Sequence, residues 1–298
     1  MKYNLLGRSD LSVSEIGFGA MSLDMALPSE SMALLHDAFE HGINFFDTAD
    51  LYDKGQNETL VGKAVKNFRK EIVLASKVGN RWTPDGKGWE WDVSSSYIRQ
   101  AIDQSLKRLQ TDYIDLYQIH GGTNQDDFDE VVATLEDLVD EGKIRYYGIS
   151  SIRPNVFTEY CKKSNIVSNM MQYSILDTRA EQYLSVFQES QVSVIARGTL
   201  AQGLLVNKIA KTYLGHSQEE VFALQSQIKA YCTEYNVSST SLALSYVLRE
   251  SSVASALVGI HTKDQMDSIL QSYQELELLK QEIINFDINK LQYKDHLY

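Results

Sequence analysis

Short apolar runs alternate with helical segments along nearly the whole chain, and this alternation limits the fold more than any other feature of the sequence. Strand-like runs and helices in regular order indicate parallel strands joined by helical crossovers. Eight such units in a chain of 298 residues favour an α/β fold of the closed (β/α)₈ barrel type over an open doubly wound sheet. The predicted strands cover 16–19, 43–47, 72–77, 113–120, 144–150, 167–172, 192–196 and 255–258.

The predicted helices follow nearly every strand and have plausible start signals. Asn57 and either Ser94 or Ser95 carry side chains suited to cap the helices that they begin. A long irregular stretch, 198–217, separates the seventh strand from the next helix. The predicted helices cover 29–41, 57–68, 94–109, 128–139, 154–163, 180–189, 218–235, 239–250 and about 264–285.

The two ends of the chain add to this architecture. Residues 3–6 and 12–16 flank the turn-rich residues 7–10, which indicates an N-terminal β-hairpin. No low-complexity linker divides the sequence, so we expect one barrel domain over 1–298, with extra helices towards its C-terminal end. The final residues, 287–298, are expected to lie on the surface rather than at the barrel rim.

The charge balance excludes some partners. Formal net charge is -12 and the sequence pI is about 5.0. Because nucleic acid and anionic membranes attract basic surfaces, neither is an expected partner. The N-terminus lacks an apolar signal core, and no apolar run approaches the roughly 18 residues of a membrane span, so we predict a cytoplasmic protein. Cys161 and Cys232 are expected to be buried free thiols. The sequence does not indicate an oligomeric state.

Polar or ionisable residues stand at the C-terminal ends of successive predicted strands. In a (β/α)₈ barrel these ends converge on one rim, where the active site lies. A single such residue is better explained as a structural polar group, but seven successive strand ends are hard to explain in that way. The residues are Asp47, Lys77, His120, Ser150, Ser151, Gln172 and Arg197, and the segment 259–262 follows the last strand.

The types of residue at these ends indicate proton transfer to an oxygen atom. Asp47 ends an apolar strand, where a carboxylate is costly to bury unless it has a partner, and Lys77 is the candidate cation. An ammonium group beside Tyr52 stabilises the phenolate and makes the phenol a better proton donor. His120 is suited to hydrogen-bond a substrate oxygen or relay a proton. No nucleophile elbow or metal-ligand spacing is present, so we expect carbonyl reduction without a metal.

With these residues in view, the sequence resembles the aldo-keto reductase superfamily along essentially its whole length. The family's catalytic tetrad matches Asp47 and Tyr52 in Asn-Phe-Phe-Asp-Thr-Ala-Asp-Leu-Tyr, Lys77 in Leu-Ala-Ser-Lys-Val-Gly, and His120 in Asp-Leu-Tyr-Gln-Ile-His. The resemblance implies a (β/α)₈ barrel that reduces small-molecule carbonyl substrates with a nicotinamide cofactor. NADPH is the expected cofactor and NADH is the alternative.

The resemblance also implies a set of cofactor contacts. Ser150 and Gln172 are expected to hydrogen-bond the nicotinamide carboxamide, and Arg197 replaces the tyrosine that often stacks on this ring. His261 stands where members that prefer NADPH usually have arginine or lysine. The cofactor-binding residues implied are Gly19, Met21, Ser150, Ser151, Gln172, Arg197, Gly198, Leu200, Gln202, Gly203, Gly259, His261, Thr262 and Gln265.

The segment 79–93 contains all three tryptophans of the chain, Trp82, Trp89 and Trp91. One interpretation is a substrate-covering loop that favours aromatic or apolar groups. An equally weighted interpretation is a loop that its own tryptophans hold against the barrel.

A different class of function also remains open. Potassium-channel β subunits have this fold, retain the tetrad and bind NADP chiefly as regulatory partners. A reductase is preferred because no unusual N-terminal extension indicates docking, and turnover of small aldehydes distinguishes the two functions.

Overall fold

Eight parallel strands close into a barrel, which confirms the fold predicted from the alternating pattern. The structure is a computed structural model that describes residues 1–279 and 284–294. Around the barrel the order is β3, β4, β5, β8, β9, β10, β11 and β12. The strands are β1 (Tyr3–Leu5), β2 (Ser12–Ser14), β3 (Ile16–Gly19), β4 (Phe45–Asp47), β5 (Val73–Val78), β6 (Asn80–Trp82), β7 (Trp89–Trp91), β8 (Ile114–Ile119), β9 (Ile144–Ile149), β10 (Ser168–Gln172), β11 (Ser193–Arg197) and β12 (Val253–Val258).

Helices surround the barrel, and side-chain caps fix where several of them begin. Ser94 accepts a hydrogen bond from the Tyr97 amide, and Ser217 forms a reciprocal capping box with Glu220. The helices are α1 (Pro28–Glu40), α2 (Gln56–Val65), α3 (Ser95–Leu109), α4 (Phe128–Asp140), α5 (Pro154–Lys163), α6 (Leu184–Glu189), α7 (Gln218–Tyr235), α8 (Ser239–Leu248) and α9 (Lys263–Leu279). Among the described residues, none of these helices is long and apolar enough to span a membrane.

The predicted N-terminal hairpin is present as β1 and β2, and it closes the amino end of the barrel. Leu6, Leu11 and Val13 are buried in a cluster with Phe45 and Leu116, which belong to barrel strands. The Asn4 side-chain amide also donates to the Ala254 carbonyl oxygen at 3.0 Å. Because the hairpin covers this end, access to the barrel interior is from the opposite rim, where the strands end.

Several local predictions need correction. Asn57 is not a helix cap: α2 begins at Gln56, and the buried Asn57 side chain instead donates to the Ala20 carbonyl oxygen at 2.8 Å. The segment predicted as a loop, 79–93, contains the antiparallel hairpin of β6 and β7. Cys161 is buried as predicted, but Cys232 is partly exposed.

The C-terminal segment contacts the rest of the chain through a few of its residues. Helix α9 ends at Leu279, residues 280–283 lie outside the described part of the chain, and 284–294 contain no helix. Tyr293 is only 5% exposed and its ring lies tilted beside that of Tyr183, while the Leu291 amide donates to Thr178 Oγ1 at 3.1 Å. Most of residues 287–294 are exposed, as predicted, while Tyr293 packs against the segment after β10; residues 295–298 lie outside the described part of the chain.

Gly62 tests how tightly the helical layer packs. A Cβ atom at this position would lie 2.5 Å from the carbonyl carbon and oxygen of Leu109, at the end of α3. We expect Gly62→Ala to lower the free energy of unfolding by about 1–3 kcal/mol, because the two backbones must separate. The favourable change in helix propensity, at most about 1 kcal/mol, is smaller. Urea denaturation measures the difference.

Gly88→Ala is the matched control for this prediction. A Cβ atom at Gly88 has no neighbour within 4 Å, so the free energy of unfolding should be almost unchanged. Equal urea midpoints for the two variants would show that the contact between α2 and α3 is looser than described.

Candidate active site

Side chains from three neighbouring strands meet at the carboxyl-end rim of the barrel. Asp47 is the last residue of β4, Lys77 lies near the end of β5, and His120 directly follows β8. Lys77 Nζ donates to Asp47 Oδ2 at 2.5 Å and to the hydroxyl oxygen of Tyr52 at 3.3 Å. The ring centroids of Tyr52 and His120 are 5.9 Å apart in an edge-on arrangement. The structure thus brings together the four residues predicted to be catalytic.

Lys77 and Asp47 form a buried ion pair, with exposed side-chain fractions of 1% and 2%. Burial disfavours the charged lysine, but the Asp47 carboxylate and Tyr52 outweigh burial, and the pKa of Lys77 is raised. Burial raises the pKa of Asp47, while the Lys77 ammonium and a hydrogen bond from Gln118 oppose this effect. Lys77 also donates to the Thr48 carbonyl oxygen at 2.9 Å, so the ammonium is held in one position.

His120 is neutral at ordinary pH. Burial, followed by the positive charges of Lys77 and Arg197, lowers the pKa of its imidazole to about 3. Within the described residues, His120 Nδ1 is buried and has no hydrogen-bond partner. A neutral imidazole has one N–H that can donate a hydrogen bond and one nitrogen that can accept one.

Tyr52 belongs to a segment between β4 and α2 that is fixed at both ends. At its start, the Thr48 hydroxyl donates to Asn57 Oδ1 at 2.7 Å, and Asn57 in turn binds the backbone after β3. Asp53 and Lys54 have positive φ values of 48° and 55°, so the chain turns sharply just after Tyr52. These contacts position the phenol over Lys77, with Nζ 5.0 Å from the ring centroid.

The residues predicted to hold the nicotinamide lie on the adjoining part of the rim. Ser150 follows β9, and buried Ser151 is held through its backbone by the Asn169 side-chain amide. Gln172 at the end of β10 donates to the Tyr213 hydroxyl at 2.9 Å. Arg197, at the end of β11, donates to Gln172 Oε1 at 3.4 Å.

A second group of the predicted cofactor-binding residues follows β11. Gly198, Gln202 and Gly203 all have positive φ values, and a Cβ atom at Gly198 would approach the Gln172 side chain to 3.2 Å. Leu200 is partly buried, whereas Gln202 is exposed. The backbone therefore turns close to the rim at this point.

The last group of the predicted cofactor-binding residues follows β12. The Gln265 side-chain oxygen accepts from the His261 amide at 2.8 Å, and the Gln265 amide donates to Thr262 Oγ1 at 3.2 Å. His261 is exposed, whereas Lys263 is engaged with Asp37 at 2.6 Å and with Asp267 at 3.1 Å.

The segments that follow β3 and β12 are joined by Ser22, whose Oγ atom donates to the carbonyl oxygens of Gly19 and Ile260. Two predicted cofactor-binding residues in these segments are exposed: Met21, at 68%, and Gly259.

The three tryptophans have different surroundings. Trp82 Nε1 donates to the Leu51 carbonyl oxygen at 3.1 Å, and Trp91 Nε1 donates to Asp126 Oδ1 at 2.7 Å. Trp89 is 55% exposed. The hairpin is therefore anchored by Trp82 to the Tyr52 segment and by Trp91 to the segment after β8, while Trp89 remains available for an external group.

Sequence reasoning missed Gln118 and Asn169. Gln118 is fully buried in β8 and donates to Asp47 Oδ1 at 3.2 Å, which orients the carboxylate of the ion pair. The sequence contained a signal for Gln118, because it precedes His120 by two residues and alternate residues of a strand share a face. Asn169 has no comparable signal, since its role depends on the pairing of β9 and β10.

Within 1–279 and 284–294, no three side chains of the metal-binding types come together as a metal site. A (β/α)₈ barrel with a polar set of residues at the carboxyl-end rim is the architecture of a large class of enzymes. The sequence profile of the Aldo/keto reductase family matches residues 15–289, and the chain belongs to that family. It is therefore an oxidoreductase of a family that uses NAD(P)H.

Individual relatives agree with this assignment. The chain is 46% identical, over 95% of its length and 94% of the relative, to the uncharacterized oxidoreductase YqkF of Bacillus subtilis. It is 28% identical, over 89% of its length and 91% of the relative, to the NADH-specific methylglyoxal reductase of Escherichia coli. The solved holo form of aldo-keto reductase AKR11C1 from Bacillus halodurans is 44% identical, covers 99% of both chains and has a TM-score of 0.91.

Proposed function

We propose that this chain reduces aldehydes or ketones to alcohols with NADPH or NADH, and that Tyr52 donates the proton. The observation that carries this proposal is the position of Lys77 Nζ, which lies 2.5 Å from Asp47 Oδ2 and 3.3 Å from the Tyr52 hydroxyl. One ammonium group thus contacts both the acid that keeps it charged and the phenol that it assists.

The proton step follows from this contact. As negative charge develops on the carbonyl oxygen, the Tyr52 O–H bond breaks and its proton moves to that oxygen. The phenolate that remains is stabilised by the adjacent Lys77 ammonium, which Asp47 holds charged. A positioned proton donor of this kind contributes about 10²–10⁴-fold to a rate.

His120 has a separate role in the proposal. Because its imidazole is neutral, the ring can donate a hydrogen bond to the substrate oxygen without competing to protonate it. Its edge-on position beside Tyr52 directs both groups towards the same space above the rim. His120 therefore orients the carbonyl and stabilises the charge that develops on its oxygen.

The residues on the rim fit a nicotinamide dinucleotide. Thr199 Oγ1 is buried without a hydrogen-bond partner among the described residues, and Gly198 leaves room beside Gln172 that a Cβ atom would fill. When bound, the reduced nicotinamide supplies a hydride to the carbonyl carbon. Ser150 and Gln172 would hold the carboxamide. The other proposed contacts are Gly19, Met21, Ser151, Arg197, Gly198, Leu200, Gln202, Gly203, Gly259, His261, Thr262 and Gln265.

The choice between the two cofactors depends on the segment after β12. A 2′-phosphate is recognised best by arginine or lysine, and Lys263 is already paired with Asp37 and Asp267. The relative in Escherichia coli is named as NADH-specific, which supports inclusion of NADH in the proposal. We therefore assign the choice between NADPH and NADH to position 261.

His261→Arg is expected to increase the ratio of kcat/KM for NADPH to that for NADH by about 10-fold or more. Arginine adds a charge-assisted, bidentate partner for the phosphate, worth on the order of 1.5–3 kcal/mol. Steady-state kinetics with each cofactor measures this ratio, and Thr262→Ser serves as a conservative control. An unchanged ratio would contradict the placement of the adenosine end at His261.

The substrate side is assigned to the tryptophan hairpin. Trp82 is bonded to Leu51, which precedes Tyr52, Trp91 is bonded to Asp126 after β8, and the exposed Trp89 offers an apolar surface to a substrate. This arrangement favours carbonyl compounds with an aromatic or apolar substituent.

Absorbance of the reduced cofactor tests the proposed function directly. Wild-type protein should oxidise NADPH or NADH in the presence of a panel of aldehydes and ketones, at a rate that saturates with both components. Saturable cofactor binding without turnover of any carbonyl would instead favour the regulatory function of the channel β subunits.

A further inference from the structure

A second cluster of ionisable groups lies behind the tetrad, and the proposed reaction does not use it. Asp50 is 8% exposed, and Glu58 and Tyr117 are fully buried. Asp50 stands two residues before Tyr52, and its backbone amide donates to the Lys77 carbonyl oxygen at 3.3 Å. The cluster is therefore joined by backbone both to the proposed proton donor and to the lysine beside it.

Among the described residues, the cluster contains two acids, Asp50 and Glu58, but one nearby cation, Arg108. Arg108 Nε donates to Glu58 Oε2 at 2.7 Å, and Ser76 and Ser105 also donate to the Glu58 carboxylate. Glu58 is thus fully supplied with partners. Because Arg108 is committed to Glu58, it does not form an ion pair with Asp50 in the described structure.

Asp50 has little support for a negative charge of its own. Its Oδ2 atom accepts a long hydrogen bond of 3.4 Å from the Tyr97 hydroxyl, and the Leu51 backbone amide also favours the ionised form. Its Oδ1 atom is buried without a partner within hydrogen-bond distance among the described residues. The groups that face it are Glu58 from α2, Tyr97 and Arg108 from α3, and Tyr117 from β8. A buried carboxylate beside another carboxylate is destabilised, so these surroundings accommodate the neutral acid better.

We propose that Asp50 is a positioning residue that holds the Tyr52 segment in place while its carboxyl group is protonated and releases that segment when it ionises. This inference rests on the proposed role of Tyr52 in the reduction. Ionisation places a second carboxylate beside Glu58 without a second cation, and outward movement of the segment relieves the repulsion. That movement lengthens the contact between Tyr52 and Lys77, which is already 3.3 Å.

Asp50 ionises in the folded protein within a pH range that experiments can cover. Burial, followed by the charge of Glu58, raises the pKa of Asp50 to about 7. In the unfolded chain an aspartate has a pKa near 3.9. The folded state therefore binds more protons between these values, and the stability that the neutral acid contributes is lost as pH rises from about 4 to about 7.

Asp50→Asn tests the proposal because asparagine has the same shape and cannot ionise. If only protein with protonated Asp50 is active, ionisation of Asp50 lowers wild-type kcat about tenfold between pH 6 and 8. This decrease in kcat should be absent from Asp50→Asn. The Tm of Asp50→Asn minus the Tm of wild type should increase by on the order of 5 °C between pH 5 and 8. Cofactor Kd should be unchanged, since Asp50 is not among the proposed cofactor contacts.

Hydrogen exchange separates this inference from the proposed function. Compared at the same pH, residues 48–55 should exchange faster in wild type than in Asp50→Asn at pH 8 and equally at pH 6. This readout requires no turnover, so it holds even if no carbonyl is reduced. Equal exchange at both pH values, with parallel Tm profiles, would overturn the proposal.

Two more variants complete the test. Asp53→Asn removes the same charge from an exposed position in the same segment, where asparagine tolerates the positive φ, and should match wild type in every readout. Tyr97→Phe removes the hydroxyl that stabilises ionised Asp50, so the midpoint in hydrogen exchange should move to higher pH. An unmoved midpoint in Tyr97→Phe counts against the proposal independently of whether Asp50→Asn folds.

Discussion

Replacing Tyr52 with phenylalanine is expected to lower kcat for carbonyl reduction by about 10²–10⁴-fold, the usual contribution of a general acid. Phenylalanine keeps the ring beside His120 and Lys77 but removes the hydroxyl group that we propose as the proton donor. The Kd of the cofactor should be nearly unchanged, because Tyr52 is not among the residues assigned to hold it. Single-turnover kinetics and a fluorescence titration of the cofactor measure the two quantities.

Tyr146→Phe is the matched control for this experiment. Tyr146 lies in β9, and its hydroxyl accepts a hydrogen bond of 3.4 Å from the Asp10 amide near the hairpin end of the barrel. Removal of this hydroxyl should leave kcat unchanged. Near wild-type reduction by Tyr52→Phe would show that another group supplies the proton.

Lys77→Met is expected to lower kcat to a similar extent and also to destabilise the fold. Without the ammonium, the Tyr52 phenolate has no stabilising charge. The Asp47 carboxylate is 2% exposed and, of its two hydrogen-bond partners in the described part of the chain, would retain Gln118. Removing one partner of a buried ion pair commonly costs about 3–5 kcal/mol of stability. Chemical denaturation and kcat measure the two effects separately.

A double variant distinguishes the structural from the catalytic role of Lys77. Asp47→Asn combined with Lys77→Met removes the unpaired buried charge, so much of the lost stability should return. Activity should not return, because the ammonium group is still absent. Recovery of both stability and activity would mean that Lys77 serves only as a counter-ion for Asp47.

The barrel was predictable because its signal repeats along the chain. Each parallel strand is buried on both faces and appears as an apolar run, as in Val73–Val78, and each crossover helix restores the alternation. Features that depend on a single contact were harder to predict from the sequence. Asn57 has the side chain of a helix cap, but its neighbours in three dimensions, Thr48 and Ala20, give it a different role.

The same distinction between repeated sequence signals and single contacts applies to the predicted site. Asp47, Lys77 and His120 were identifiable because each stands at or near the end of an apolar strand, and the structure brings them together with Tyr52. The sequence did not reveal that Lys263 is paired with carboxylates from α1 and α9, which bears on cofactor choice. It also did not reveal the unbalanced charge around Asp50, since the facing groups come from α2, α3 and β8.

Isotope transfer tests most directly whether the chain reduces carbonyl compounds with a nicotinamide cofactor. Wild-type protein is incubated with a carbonyl compound and a reduced nicotinamide cofactor that carries deuterium at the transferable position of C4. We expect each cofactor oxidised to place one deuterium on the carbinol carbon of the alcohol, and Tyr52→Phe to form the same product far more slowly. Cofactor that binds without formation of deuterated alcohol from any carbonyl would contradict this expectation.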